Sequence, residues 1–212
     1  MIELSLIRHG ETEYNSIMKI QGSLDSALTE QGEEQCRRLG RYLAGRPNFT
    51  RVDEWICSPQ GRAVQSSALI RESMQALPEV RFDDRIREIH CGELEGRLIP
   101  EVDPDILKAL RNDPAYAYPG GESIDDVVAR AAGFWSDLAL RLADAAASQR
   151  DYRVVVVSHG NFLRCLTSVI LELPSEYAVR VVLENTGLCY FRSLHDGAKI
   201  KMLRWNDRTH LE

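Results

Sequence analysis

The stretch that decides the fold is LIRHGET, Leu6–Thr12, near the amino terminus. It completes a short apolar run that begins at Ile2 and is typical of a buried β-strand. The strand gives way at once to an arginine, a histidine and a glycine. In α/β proteins, the loops that leave the carboxyl ends of strands direct side chains into a shared crevice. We therefore expect Arg8 and His9 to lie in a ligand-binding crevice.

A second strand end repeats this arrangement far along the chain. The run VVVVSHGN, Val154–Asn161, again passes from a buried strand directly into His-Gly. Either motif alone also fits an ordinary strand-to-helix turn, in which the glycine relieves backbone strain and the histidine is an ordinary polar residue. Two such strand ends in one chain favour a common crevice for His9, His159 and Gly160.

Composition limits the class of protein. At 212 residues, with 44% hydrophobic and 27% charged residues, the chain fits one soluble globular domain, which we expect to span residues 1–212. The formal net charge is −6 and no long basic run is present, which argues against a nucleic-acid partner. No apolar run has the length of a membrane span and no signal peptide is recognisable, so we predict a cytoplasmic protein without a membrane partner.

The five cysteines do not form a recognisable framework. Their number is odd and their positions are scattered, without the paired spacing of a zinc site or of secreted disulfides. We expect most of them to be small core residues. No metal site is predicted.

Three further motifs lie between the two histidines. The first is the segment QGSLDSALTEQG at Gln21–Gly32, the second is SPQGRAVQSS at Ser58–Ser67, and the third is EIHCGELEG at Glu88–Gly96. With the two His-Gly strand ends, they resemble the histidine phosphatase superfamily, also called the phosphoglycerate-mutase-like family, over nearly the whole chain. The resemblance implies an α/β fold, a three-layer α/β/α sandwich with a mostly parallel central sheet. It also implies that no cofactor is needed.

The sequence departs from the family pattern at two positions. Ser66 stands where threonine is usual, which keeps the hydroxyl group. Leu94 stands where tryptophan is common, which we expect to make the rim of the pocket less aromatic and which leaves specificity open.

The chemistry of phosphoryl transfer suits the residues that these motifs contain. Arg8 and Arg62 carry planar, permanently charged groups that can bind phosphate oxygens in pairs, and His159, if it is protonated beside the dianion, adds a third positive donor. A neutral imidazole at His9 can attack phosphorus and leave again. Glu88 stands at the family position of the proton donor and must be protonated when substrate is bound, a form that a nearby phosphate dianion favours.

The resemblance also implies which residues form the site. The predicted catalytic residues are His9, Glu88, His159, Arg8 and Arg62. The predicted substrate-binding residues are Arg8, Asn15, Gln21, Gly22, Arg62, His159, Gly160 and Asn161. Glu11 and Glu95 are expected to be structural partners of arginines.

The segment 97–122 is predicted to be a substrate-specificity insert. It is irregular in pattern and rich in proline, with acidic and basic residues in similar number. In the family, such an insert caps the pocket. Because its charges nearly cancel, we expect a phosphomonoester with a small neutral or modestly polar leaving group.

Apolar periodicity predicts the main helices and the last strands. Thr29 can cap a helix that buries Cys36, Leu39, Gly40 and Leu43. Ser123 begins the longest helix, and its predicted buried stripe is Ile124, Val127, Val128, Ala131, Trp135, Leu138 and Leu142. Two strands, near 188–194 and 199–205, are predicted to join at Asp196-Gly197.

These observations favour one function over two others. The first is a metal-independent phosphatase that hydrolyses a small phosphomonoester through a phosphohistidine on His9. The alternatives are a cofactor-dependent phosphoglycerate mutase, which the Gln21-Gly22 segment argues against, and a noncatalytic phospho-ligand-binding protein. The leaving group stays open among sugar phosphates, phosphoglycerates, nucleotides, a cobalamin precursor and phosphoprotein, and the sequence does not say whether the chain forms a homodimer.

Overall fold

The computed structural model describes residues 1–194 and 199–212. These residues form one six-stranded sheet with α-helices on both faces. The strands are β1 (Ile2–Arg8), β2 (Glu54–Cys57), β3 (Val80–Phe82), β4 (Tyr152–Ser158), β5 (Leu188–Ser193) and β6 (Lys201–Asp207). The helices are α1 (Glu13–Ser16), α2 (Glu30–Ala44), α3 (Gly61–Arg71), α4 (Pro104–Asn112), α5 (Ile124–Ala147) and α6 (Gly160–Ile170).

The sheet has the strand order β3-β2-β4-β1-β5-β6. The first four strands in this order run parallel to one another, and β5 and β6 are antiparallel to their neighbours. The predicted mostly parallel sheet is confirmed. Because both faces of β4 are covered by helices, its sequence is continuously apolar rather than alternating.

Successive residues of β4 contribute to opposite cores. Val154 and Val156 pack on the side of α5 and α6, whereas Val155 and Val157 pack on the side of α2 and α3. The two cores lie on the two faces of the sheet, so the predicted three-layer α/β/α sandwich is confirmed.

The predicted helix starts are confirmed, with one correction inside the longest helix. The Thr29 hydroxyl accepts a hydrogen bond from the Gly32 backbone at the start of α2, and Ser123 forms a reciprocal capping box with Asp126 at the start of α5. Phe134, absent from the predicted stripe of α5, is fully buried, whereas Trp135 is only half-buried. The ring of Phe134 packs edge-on against Phe162 of α6, and this contact between helices decides which of the two aromatic neighbours points inward.

The segment 97–122 is more regular than its sequence pattern indicates. It contains α4, a nine-residue helix that we did not predict. Pro104 occupies the first helical turn, where proline is tolerated because that N–H has no partner within the helix. Asp103 caps the helix by accepting a hydrogen bond from the Asp105 backbone at 2.8 Å.

The remaining predictions about the fold concern cysteines, membranes and the last hairpin. All five cysteines are buried and free, as expected for core residues. Within residues 1–194 and 199–212, no helix is both long and apolar enough to cross a membrane. The predicted turn at Asp196-Gly197 lies outside the described residues.

The carboxyl-terminal segment packs onto the turn that precedes β5. His210 is buried, and its Nε2 lies 3.0 Å from the Thr186 hydroxyl. The Thr186 backbone N–H in turn donates to the carbonyl groups of Arg8 and His9. Burial lowers the pKa of His210 to about 4, so the ring is neutral at pH 7.

This buried histidine predicts acid sensitivity. The folded-state pKa is lower than the unfolded value of about 6.5, so the unfolded chain binds the extra proton and stability falls as the pH drops below 6.5. His210 is expected to lower the free energy of unfolding by about 2 kcal/mol at pH 5 relative to pH 8. Urea unfolding at the two pH values measures this difference. We expect His210→Asn to reduce the pH-dependent loss by about this amount.

A matched control separates this effect from a general response to acid. The side chain of His90 is half exposed, and we expect His90→Gln to keep the wild-type difference between pH 8 and pH 5. An unchanged difference in His210→Asn would contradict the assignment.

Candidate active site

Three adjacent parallel strands end side by side and place the predicted residues together. Arg8 and Ser158 are register partners at the ends of β1 and β4, so His9 and His159 follow from equivalent positions. Their rings lie with centroids 5.3 Å apart. Ser58, which follows β2, hydrogen-bonds through its backbone N–H to the Val157 carbonyl of β4. The predicted common crevice of the two His-Gly strand ends is present.

His9 is held in one tautomer. Its Nδ1 lies 2.7 Å from the Gly10 carbonyl, which can only accept, so Nδ1 carries the proton and Nε2 is left with a free lone pair. Burial, and then the charges of Arg8 and Arg62, lower the pKa of His9 well below its usual value. The ring is therefore neutral at pH 7.

Arg8 faces the crevice beside His9. Its Nη1 donates to the Leu183 carbonyl at 2.7 Å. A Cβ at Gly160 would lie 3.4 Å from Arg8 Nε, an ordinary van der Waals distance, so this guanidinium packs against the start of α6. Burial and the nearby guanidinium of Arg164 lower the pKa of Arg8 to about 10, with Arg62 adding to the effect. Arg8 thus stays charged at neutral pH.

Arg62 is buried and is oriented by the segment that follows Gln21. Its two terminal nitrogens donate to the carbonyl groups of Leu24 and Gly22 at 2.8 and 2.9 Å. Asp25 accepts from both Nη1 and the backbone N–H of Arg62, at 3.2 and 3.1 Å. These contacts fix the guanidinium in its plane and leave Nε available.

His159 is neutral and is oriented by Ser58. Its Nε2 lies 2.7 Å from the Ser58 hydroxyl, and that hydroxyl accepts from the Gln60 backbone at 3.4 Å. When this hydroxyl donates to Nε2, His159 carries its own proton on Nδ1. Burial, followed by the charge of Arg62, lowers the pKa of His159 well below its usual value. Without a ligand the ring is therefore neutral, and its protonation beside a bound phosphate dianion stays a prediction.

Three nitrogens of this cluster are buried without a hydrogen-bond partner in the part of the chain that the structure describes. They are Arg8 Nε, Arg62 Nε and His159 Nδ1. A buried donor without a partner costs about 1–3 kcal/mol. All three belong to residues close to His9.

Glu88 lies at the amino-terminal end of α6. Its carboxylate accepts hydrogen bonds from the backbone N–H groups of Ile89, Asn161 and Phe162 at 2.9, 3.3 and 3.3 Å. The last two are donors at the helix start that have no partner within the helix. The carboxyl group is thereby fixed next to His159 and Gly160, the residues that end β4 and begin α6.

The backbone that carries Glu88 is held from both sides. Gln60 accepts from the Glu88 N–H at 2.7 Å and donates to the Gly22 carbonyl at 3.1 Å. Arg130 of α5 donates to the carbonyl groups of Arg87 and Glu88 at 2.8 and 3.1 Å. An acceptor, Gln60, and a donor, Arg130, from different elements thus hold the Glu88 backbone in place.

The other predicted substrate-binding residues lie around this cluster in different ways. The Asn15 side-chain oxygen accepts from the Thr12 backbone and from Asn185 Nδ2. The side-chain amide of Gln21 donates to Thr12 and Ser26, both at 2.6 Å. Gln21 and Asn15 are therefore tied to the loop after β1, and their binding role stays a prediction.

Gly22 and Asn161 contact the catalytic groups through their backbone. Gly22 has a φ of 55°, and a side chain there would come within 2.2 Å of Glu95 Oε1. The position therefore requires glycine, which lets its carbonyl reach Arg62. Asn161 contributes the N–H that binds Glu88, and its side chain accepts from Arg164.

Three expectations about neighbouring residues need correction. Glu11 accepts from the Thr29 hydroxyl, and Glu95 accepts from Ser23 and from the Cys91 backbone, so within the described residues neither has the predicted arginine partner. Both carboxylates instead accept hydrogen bonds that hold loops next to the site. Leu94 is only 4% exposed, so it packs in the interior and does not form an open rim.

The described part of the chain has no cluster of metal-ligating side chains. Among residues 1–194 and 199–212, no group of three or more His, Cys, Asp or Glu side chains is arranged to hold a metal ion. The positive charge at the site is supplied by Arg8 and Arg62.

Comparison with known proteins identifies the family. The model of the histidine phosphatase superfamily (branch 1) matches residues 4–208. The chain belongs to the histidine phosphatase superfamily. The resemblance inferred from the motifs is confirmed.

Relatives in this superfamily carry different names. The chain is 34% identical over 196 residues to a probable phosphoglycerate mutase of Photorhabdus laumondii, covering 89% of this chain and 83% of the relative. It is 35% identical over 174 residues to a glucosyl-3-phosphoglycerate phosphatase of Mycolicibacterium vanbaalenii, covering 81% and 75%. A solved phosphoserine phosphatase from Entamoeba histolytica matches with a TM-score of 0.81 and 28% identity, covering 100% of both chains.

Several positioning residues of this histidine phosphatase were not assigned from the sequence. Asp25 belongs to the motif at Gln21–Gly32, but its role, like that of Asn185, depends on contacts with distant residues. Asn185 Nδ2 donates to the carbonyl groups of His9 and Gly10, both at 3.1 Å. Gln60 and Arg130 have no local signal, because each acts on backbone far away in the chain.

Proposed function

We propose that this histidine phosphatase hydrolyses small phosphomonoesters through a phosphohistidine intermediate on His9, without a metal ion. The observation that carries the proposal is the set of three unpartnered buried nitrogens, Arg8 Nε, Arg62 Nε and His159 Nδ1, around the free Nε2 of His9. A phosphate group offers three nonbridging oxygens to these donors and its phosphorus to the nucleophile. The named relatives include phosphatases of small phosphoesters.

The first half of the reaction transfers the phosphoryl group to the enzyme. Arg8 and Arg62 neutralise charge on the nonbridging oxygens, and His159 donates a further hydrogen bond. The N–P bond to His9 Nε2 forms as the bond between phosphorus and the leaving oxygen breaks. Glu88 gives its proton to that oxygen, so the leaving group departs as a neutral alcohol.

The second half returns the enzyme to its starting state. The Glu88 carboxylate takes a proton from a water molecule, whose oxygen forms a new bond to phosphorus as the N–P bond breaks. Inorganic phosphate leaves, and His9 regains its free lone pair. The hydrogen bond from Nδ1 to the Gly10 carbonyl keeps the tautomer unchanged throughout.

Phosphate release tests the function directly. We expect the purified protein to release inorganic phosphate from p-nitrophenyl phosphate and from several metabolite monophosphates, with rates that change less than about twofold when a chelator such as EDTA is added. Loss of the activity on chelation, with recovery on adding a divalent cation, would contradict metal independence. The proposed partner is a small-molecule phosphomonoester in the cytoplasm.

A phosphoglycerate mutase is the second candidate, because several relatives carry that name. A mutase must return the phosphoryl group to a second hydroxyl of the bound product instead of to water. Incubation of 3-phosphoglycerate with catalytic 2,3-bisphosphoglycerate distinguishes the two. Formation of 2-phosphoglycerate faster than phosphate release would favour the mutase.

A further inference from the structure

A cavity lies beside the proposed catalytic centre. It has a volume of about 180 Å³ and lies between α4, α6 and the loop that follows α1. We call it the leaving-group chamber. Its apolar wall consists of Ile20, Ile99, Leu107, Leu110, Ile124 and Val179.

The chamber opens next to the proton donor. Asn161 lines it, and the backbone N–H of this residue donates to the Glu88 carboxylate at 3.3 Å. The chamber therefore begins at a residue that contacts the proposed proton donor. The remainder of the leaving group extends into the chamber from there.

The charge in the chamber is positive. Arg111 of α4 and Arg164 of α6 line it, and no carboxylate does so within the residues that the structure describes. Arg164 is held by the Val181 carbonyl at 3.1 Å and by the side-chain oxygen of Asn161. Two guanidinium groups at an apolar cavity attract an anion.

The acidic residues of the insert do not cancel this charge. Glu101, Asp103, Asp105 and Asp113 are exposed and lie outside the chamber wall. Asp103 and Asp113 accept backbone hydrogen bonds near the two ends of α4. We expected a small neutral or modestly polar leaving group because the charges of segment 97–122 nearly cancel. In the structure, however, Arg111 lines the chamber and the four acidic side chains lie outside it.

Resting on the proposed phosphatase function, we infer that the leaving group is an amphiphilic acid, with a hydrocarbon or ring body and an anionic head. The body contacts the apolar wall of the chamber, and the head binds Arg111 and Arg164. Arg164 donates to the side-chain oxygen of Asn161, whose backbone N–H donates to Glu88, so one of the two guanidinium groups lies beside the residue that contacts the proton donor. A short polar acid such as phosphoglycolate leaves the apolar wall uncovered.

Three synthetic esters test this inference. They are 4-carboxybenzyl phosphate, its neutral isostere 4-carbamoylbenzyl phosphate, and phosphoglycolate, which has the carboxylate without the ring. We expect kcat/KM for the carboxybenzyl ester to exceed that of each of the other two by at least about tenfold, the size of one charge-assisted hydrogen bond.

Two variants in α4 test whether the preference for the carboxylate ester depends on the side chain that lines the chamber. Arg111→Gln is expected to lower the ratio of carboxylate to amide kcat/KM about fivefold, since one of the two guanidinium groups is lost. Lys108→Gln removes the same charge from an exposed position on the same helix that does not line the chamber, and is expected to change the ratio less than twofold.

The outcomes separate the inference from the function on which it rests. Equal kcat/KM for acid and amide, equal turnover of phosphoglycolate, or an equal response of the two variants would overturn the chamber assignment while p-nitrophenyl phosphate is still hydrolysed. Absence of turnover with every ester, p-nitrophenyl phosphate included, would overturn both.

Discussion

Replacing His9 with alanine is expected to reduce phosphate release by at least roughly 10⁴-fold. The hydrogen bond from Nδ1 to the Gly10 carbonyl leaves the Nε2 lone pair of the buried imidazole free, and the three unpartnered donors belong to residues close to it. Without it, water must attack the substrate directly, with no group positioned to accept its proton on that side. Initial rates with p-nitrophenyl phosphate and an alkyl phosphate measure the loss.

A chemical trap gives the same prediction a second readout. Wild-type protein mixed with ³²P-labelled substrate and quenched in alkali is expected to retain label on a base-stable, acid-labile bond, as a phosphorus–nitrogen bond requires. His9→Ala is expected to retain none. The exposed His90 supplies the matched control, and His90→Gln should keep both label and turnover. Rapid turnover by wild type without any trapped label would refute the covalent intermediate.

Substitution of Glu88 by glutamine is expected to slow alkyl phosphates far more than aryl phosphates. An alkoxide is a poor leaving group and needs the proton from Glu88, whereas p-nitrophenolate leaves without one. We expect kcat/KM to fall by about 10²–10⁴-fold for an alkyl ester and by less than about tenfold for p-nitrophenyl phosphate. Glutamine keeps the shape of the side chain, so the ratio between substrates reports proton transfer.

The control for this experiment is a nearby exposed glutamate. Glu93→Gln removes the same charge from the segment that follows Glu88, and should leave both rates close to wild type. An equal loss with both substrates in Glu88→Gln would instead assign Glu88 to holding the start of α6, where it binds the backbone of Asn161 and Phe162.

The motifs predicted the residues that meet, because each motif marks the end of a strand. Arg8, His9 and His159 follow two buried strands, and parallel neighbours in a sheet end at the same edge. Arg62 could be assigned in the same way, since Ser58-Pro59 marks the end of β2 and the arginine lies in the first turn of the next helix. Local sequence was sufficient for these positions.

The protonation of the site could not be predicted in the same way. We expected His159 to be cationic beside a phosphate dianion, but its pKa without a ligand depends on burial and on Arg8, His9 and Arg62, which come from two distant parts of the chain. The same applies to Asp25, whose carboxylate becomes a partner of Arg62 only through a contact across 37 residues of sequence. Electrostatic effects act through space, so residue order carries little information about them.

The sequence by itself determined the family, the three-layer α/β/α fold and the identity of the residues at the strand ends. These follow from apolar periodicity and from short motifs, which are local properties of the chain. Tertiary structure alone decided that α4 forms within segment 97–122, that Phe134 rather than Trp135 is buried, and that Arg111 and Arg164 line one cavity without the nearby acids. These features depend on which surfaces face each other once the helices pack. The amino-acid composition of a segment does not show which of those surfaces each residue occupies.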